Sequence, residues 1–216
     1  MHHAPILCVS AAEGHVDMVS LLLEFNANIM QTGDDHICAL SHAARRGHIE
    51  VIRHLMRKKA KINQTDDRGQ CPLIHAALMG QLDAASFLLQ CDWSSVKGTR
   101  PNRNESLQQS LITAASVGHK QICEFLLDLR EVAGEGFDID NADTLQEETA
   151  LTVACTNHQV VTVELLLDRG ADLDVPNIRG LPPLLCAAKA GDVEIIDILI
   201  FQGSDVDRLI VTDGPL

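Results

Sequence analysis

The chain has 216 residues and a formal net charge of −13. That balance argues against a general nucleic-acid binder, which is usually basic. It is 46% hydrophobic but only 3% aromatic, with no Tyr, so its core must come from Leu, Ile, Val and Ala, a composition that suits thin, closely stacked helices better than a barrel or sandwich.

Six stretches then repeat one pattern along the chain: PILCVSAAEGH (5–15), CALSHAARRGH (38–48), CPLIHAALMGQ (71–81), QSLITAASVGH (109–119), TALTVACTNHQ (149–159) and PPLLCAAKAGD (182–192). Aligned on Gly14, Gly47, Gly80, Gly118, His158 and Gly191, they step by 33, 33, 38, 40 and 33 residues. A period near 33 is the signature of a stacked-repeat solenoid. Each unit buries its apolar face on its neighbours, and a long concave surface is left for another macromolecule. One all-α array is therefore predicted over 4–207, with repeats near 4–33, 34–66, 67–98, 104–140, 144–176 and 177–207 and a non-repeat tail at 208–216.

The third repeat shows the local logic. Asp66-Asp67-Arg68-Gly69-Gln70 reads as a tight turn in which Gly69 supplies a positive φ. Pro72 suits the first helical turn, where its missing N–H would have no partner anyway. Leu73, Ala76 and Ala77 share one stripe, and the two alanines let neighbouring helices approach closely. Gly80 stops this helix, and Leu82–Leu89 forms a second, antiparallel one. Similar stops recur at Phe25-Asn26-Ala27, Arg169-Gly170-Ala171 and Gln202-Gly203-Ser204.

These stretches resemble the ankyrin repeat, with its T-P-L-H-x-A-A-x-x-G-H core followed by V-x-x-L-L-x-x-G-A-x. The resemblance implies L-shaped units, each a pair of antiparallel helices with a hairpin-like finger, whose first helices and fingers line a groove. There are departures. His158 stands where Gly is usual, at a cost of roughly 1 kcal/mol for a left-handed cap. His36 and Glu147 replace finger glycines, so altered fingers are expected there. Insertions at 92–105 and 129–143 break the period and are expected to be surface loops. Smaller pieces (GHVDMVSLLLEF, RGQC, LLQCDW, DTLQEETALT, RGLPPLLCAA) are similar to the ankyrin region of the TANC / Rolling pebbles scaffold family. That likeness implies a cytoplasmic scaffold recruited beneath the plasma membrane, at postsynaptic sites or under fusion and adhesion receptors.

Position by position, the ankyrin pattern places partner-facing residues before each G-H and in each finger. The candidates are Ile37 and Arg68 in fingers, then Arg45/Arg46, Leu78/Met79, Ser116/Val117, Thr156/Asn157 and Lys189 on first helices, with Arg179 on the last finger. Further finger candidates are Asp34, Asp35, Asp67 and Gln70; Glu105, Ser106 and Gln108; Leu145, Gln146 and Glu148; and Ile178 and Leu181. Charge is concentrated there. Between His36 and Gln70 eight basic residues face three acids, +5 against −18 for the rest of the chain. Arg forks bind carboxylates bidentately and Met adapts to irregular apolar side chains. The expected ligand is thus an extended acidic and apolar peptide, such as the cytoplasmic tail of a membrane receptor or adaptor. The alternative is a regulatory module that docks on and inhibits a folded enzyme or transcription factor. Arg45 and Arg46 could instead be a solvated face paired with Asp34, Asp35, Asp66 or Asp67, worth about 0–1 kcal/mol.

No catalytic site, metal or cofactor is expected: the chain has no C-x-x-C, H-E-x-x-H or G-x-x-x-x-G-K-[ST]. His15, His48, His75 and His119 fall at repeat positions where such side chains hydrogen-bond neighbouring turns. The seven cysteines, Cys38 and Cys71 in the same repeat slot, are expected to be small buried packing residues in a reducing compartment. Trp93 is expected to close the corner after the third repeat. No apolar run approaches the ~20 residues of a membrane span, and Met1-His2-His3-Ala4-Pro5 has no signal-peptide character. The expected partner is thus a protein, neither nucleic acid nor bilayer, met by a monomer. The apolar helix Val193–Phe201 lacks the polar outer face of a capping repeat, so more repeats are expected to follow, or the tail to be an isoform end.

Overall fold

The computed structural model describes residues 4–34, 36–93, 101–133, 138–142 and 147–207. The chain forms two compact units, Met1–Ser110 and Leu111–Leu216. The expectations for Asp35, Leu145, Gln146 and the tail lie outside the described residues.

The first unit opens with three helix pairs: α1 (Ile6–Ala12) with α2 (Val16–Glu24), α3 (Ala39–Arg46) with α4 (Ile49–Arg57), and α5 (Pro72–Leu78) with α6 (Leu82–Gln90). First helices pack on first helices, α1 on α3 and α3 on α5. Second helices do the same, α2 on α4 and α4 on α6. Ala39, Ala43, Ala44, Ala76 and Ala77 are fully buried, which is what permits this close approach. Val51, Ile52, Leu55, Ala84, Ala85 and Leu88 fill the other layer, likewise without exposure. Trp93 seals the end of α6: it is 8% exposed, and its Nε1–H donates to the Leu88 carbonyl at 3.1 Å. The finger between α2 and α3 closes with an antiparallel bridge between Thr32 and Cys38.

The next helix, α7 (Arg103–Val117), starts six residues before the stretch that marked the fourth repeat, so the 92–105 insertion is not all loop. Its start is fixed by a reciprocal cap. Asn102 Oδ1 accepts the Glu105 N–H at 2.9 Å, and Glu105 Oε2 accepts the Asn102 N–H at 3.0 Å. Helix α8 (Lys120–Ala133) likewise runs into the 129–143 insertion.

In the second unit, α9 (Ala150–Thr156) pairs with α10 (Val160–Asp168) and α11 (Pro183–Ala190) with α12 (Val193–Phe201). Here α9 packs on α11, while α10 packs on both α8 and α12. Thr149 and Thr152 form a full capping box at the start of α9, each hydroxyl accepting the other's N–H at 3.1 and 2.9 Å. On α12, Val193 and Phe201 remain 69% and 90% exposed.

Two finger positions depart from glycine. His36 and Glu147 adopt φ of 56° and 61°, the left-handed region that Gly69 and Gly180 occupy in other fingers at 75° and 76°. These two residues therefore take the glycine-like backbone conformation at the cost of left-handed strain. His158 also keeps the left-handed cap, at φ 60°, through an exchange of side chains between repeats. A Cβ on Gly14 would sit 2.7 Å from His48 Nδ1, and one on Gly118 would overlap the Gln159 side chain. At the fifth cap the sizes reverse. The next repeat contributes the short Asp192, and the long side chain is His158 itself, whose Nδ1 lies 2.8 Å from Asp192 Oδ2. Asp192 also accepts the Ile195 N–H at 3.1 Å, and this bond, with the His158 contact after it, holds its carboxyl below the usual carboxylate range.

Candidate functional site

In the first unit, Arg45 and Arg46 form the exposed last turn of α3, a helix C-terminus that favours cations. Arg68 is exposed on the following finger. That finger is organised by Asp66, whose side chain is 6% exposed. Its Oδ1 accepts the N–H groups of Arg68 and Gln70 at 2.9 and 2.8 Å, and its Oδ2 accepts Nε2–H of His75 at 3.1 Å. Burial pushes the His75 pKa down, against the opposing pull of Asp66, and the charge of Arg45 reaches this imidazole. His75 is therefore a neutral strut of the finger. Asp67 pairs with His36 at 3.3 Å.

These contacts bear on the pairing expected for the arginines. Two carboxylates that could have neutralised them, Asp66 and Asp67, are engaged with histidines. Among the described residues no ion pair engages Arg45, Arg46 or Arg68. Met79 ends α5 with 43% exposure, and Leu78 is half-buried beside it. Since α3 packs on α5, the basic turn and the apolar turn occupy matching ends of neighbouring helices. Ile37 does not join them. It is 8% exposed, with its carbonyl 3.8 Å from Cys8 Sγ, and belongs to the core. Ser106 and Gln108, expected on a finger, are buried residues of α7.

In the second unit, Val117 is 39% exposed, and Thr156 and Asn157 are exposed at the end of α9. Ser116 is half-buried, with its hydroxyl donating to the Thr113 carbonyl at 2.7 Å. Lys189 is exposed on α11. Arg179 lies 3.6 Å from Glu147. Its finger is built around Asn177, which is 3% exposed and stands where Asp66 does three repeats earlier. Asn177 Oδ1 accepts the Arg179 and Leu181 N–H groups at 3.0 Å each, and its Nδ2 donates to Glu148 at 3.0 Å.

His48 and His75 are structural, whereas His15 is exposed and, among the described residues, makes no side-chain hydrogen bond to a neighbouring turn. His48 Nε2–H donates to the Ala12 carbonyl at 2.9 Å, tying one repeat to the previous one. All seven thiols are free, and every one but Cys91 is buried. Burial raises Cys71, Cys91 and Cys155, and pushes Cys123 up to about 12 and Cys186 to about 11; the buried thiols among them are also shielded from reagents, while half-buried Cys91 is the accessible one. Among the described residues no group of three or more His, Cys, Asp or Glu is placed to hold a metal ion. No described helix is long and apolar enough to cross a membrane.

Comparison with known proteins agrees with this geometry. A family model described as ankyrin repeats (3 copies) matches residues 7–104, 40–133, 94–176 and 111–209. An ankyrin repeat and KH domain-containing protein of Caenorhabditis briggsae is 31% identical over 106 residues, 48% of this chain and 4% of that protein. The human ankyrin repeat and KH domain-containing protein 1 is 42% identical over 59 residues, 27% of this chain and 2% of its own length. The chain thus spans only a few per cent of these relatives. The crystal structure of the human ASB11 ankyrin repeat domain is similar at a TM-score of 0.76 and 26% identity, covering 96% of this chain and 87% of that one.

Proposed function

Because the chain belongs to the ankyrin-repeat family, whose members are in general protein–protein interaction modules, we propose that it binds an extended protein segment across the first-helix and finger side of its first unit. The observation that carries this reading is the set of exposed cations without an ion pair among the described residues, Arg45, Arg46 and Arg68, next to exposed Met79. The ligand is a peptide with Asp or Glu beside a bulky apolar side chain: its carboxylates meet the guanidinium forks, and its apolar side chain meets Leu78 and Met79. Taken by itself, the other unit offers a less charged stretch for a protein segment, made of Val117, Thr156, Asn157, Arg179 and Lys189 with the half-exposed edge of Ser116.

The likeness to the TANC / Rolling pebbles family extends the proposal to the cytoplasmic tail of a membrane receptor or adaptor, and to a place beneath the plasma membrane. The family's role as a binding module also favours a non-enzymatic protein. A pull-down followed by peptide-array mapping, then titration of peptides of about 20–40 residues, tests the proposal. Full affinity from such a peptide supports it. Affinity that only an intact folded partner supplies would favour the alternative, a module that docks on and inhibits an enzyme or transcription factor.

A further inference from the structure

The first unit also contains an open cavity of about 1130 Å³ on another part of its surface. Its walls come from Met30, from Arg53, Met56 and Arg57 of α4, from Lys59 and Lys61 just beyond, and from Phe87 of α6. None of Arg45, Arg46, Arg68, Leu78 or Met79 lines it. Among the described lining residues four cations face one carboxylate, Asp92, on a chain whose net charge is −13. The guanidinium of Arg53 lies 4.8 Å from the centre of the Phe87 ring, with Nε 3.4 Å from Glu50 Oε1. A cationic head and an aromatic face are thus held side by side in the wall.

Lys59 gives this wall its meaning. It adopts φ 64° at the residue that closes α4, where the corresponding closures of α10 and α12 use Gly170 and Gly203. The closing hydrogen bonds are the same in each case: Lys59 N–H to Met56 O, like Gly170 to Leu167 and Gly203 to Ile200. Glycine would serve the fold here without left-handed strain. The closure of α2 uses Asn26 at φ 59°, a type that tolerates this region better than lysine, and Lys59 adds a cation to the cavity wall.

We propose that this cavity is a second binding site, one that takes an acidic peptide segment carrying a bulky apolar side chain. The acidic groups meet Arg57, Lys59 and Lys61, and the apolar side chain lies against Met30, Met56 and Phe87. The concave wall, with Met30, Met56 and Phe87 beside the cations, favours a short segment carrying an apolar side chain over a flat membrane surface or a phosphate backbone.

The test uses a fluorescein-labelled peptide of four Glu-Glu-Leu triplets, followed by fluorescence anisotropy on the Arg45→Glu/Arg46→Glu variant. In that background the surface proposed above is silent, so either proposal can fail without the other. Binding is expected, with Kd raised about tenfold by Lys59→Gly/Lys61→Ser, the loss of two modest ionic contacts. Lys59→Gly alone should raise the unfolding midpoint while weakening binding, which separates lost contacts from lost structure. No binding at about 1 mM peptide, or affinity unchanged in the double variant, overturns the proposal. So does equal binding of a Glu-Glu-Ser peptide, or tighter binding of phosphatidylserine vesicles or a single-stranded RNA that is lost in the same variants.

Discussion

Replacing Asp66 by Ala should destabilise the first unit more than any other single finger substitution. The carboxylate is almost wholly buried and accepts three hydrogen bonds, two from finger N–H groups at 2.9 and 2.8 Å and one from His75 at 3.1 Å. Each such bond contributes about 1 kcal/mol net, and more when the acceptor is charged. Stranding the buried His75 donor adds about 1–3 kcal/mol. The imidazole cannot compensate, since its other nitrogen already lacks a partner. The expected loss is about 3–5 kcal/mol. Asp66→Asn should cost only about 1 kcal/mol. Asn177 shows why: its Oδ1 holds two finger N–H groups at 3.0 Å in the same arrangement. Urea unfolding monitored by circular dichroism measures both. An Ala variant within about 0.5 kcal/mol of the parent, a shift ordinary for surface substitutions, would refute the reasoning, and so would an Asn variant as damaged as Ala.

Other expectations follow from the same contacts. Burial holds the folded pKa of His75 below its ordinary 6.5. The neutral ring's contribution is therefore present above about pH 6.5 and is lost as pH falls through that value; stability measured from pH 7.5 to 5 should decline, and the His75→Gln variant should decline less. Gly118→Ala places a Cβ at φ 76° against Gln159, whereas Gly191→Ala meets nothing within 4 Å at φ 75°. Both incur the left-handed cost of about 1 kcal/mol, and Gly118→Ala should lose at least another 1 kcal/mol in denaturant melts. Thiol labelling of the native protein at pH 8 should modify Cys91 first, the half-buried thiol, and the buried six only on unfolding.

The repeat frame was legible because each element announces itself locally: Pro72 or Thr149 at a helix start, Ala pairs where helices touch, Gly or Asn at a stop. The misses came from longer-range facts. Asn102 and Glu105 have capping-box spacing, but the repeat pattern alone starts the fourth first helix near 109 and leaves the pair to a loop and a finger. His158 looked like a defect until Asp192 supplied the room, a compensation 34 residues away. Finger position alone points Ile37 outward, but next to the bridge between Thr32 and Cys38 it is buried. The candidate surface itself was readable as a charge cluster. That no ion pair engages its arginines among the described residues was not, because that depends on Asp66 and Asp67 being taken up by His75 and His36.

The central claim is that the basic turn of α3 grips carboxylates of a partner chain. A charge-swap titration tests it most directly, using the mapped peptide and a copy with Lys at each Asp or Glu. The parent should bind only the acidic peptide, the Arg45→Glu/Arg46→Glu variant should lose about 2 kcal/mol or more for it, and that variant should gain the lysine peptide. Equal affinity of parent and variant for the acidic peptide would contradict the account.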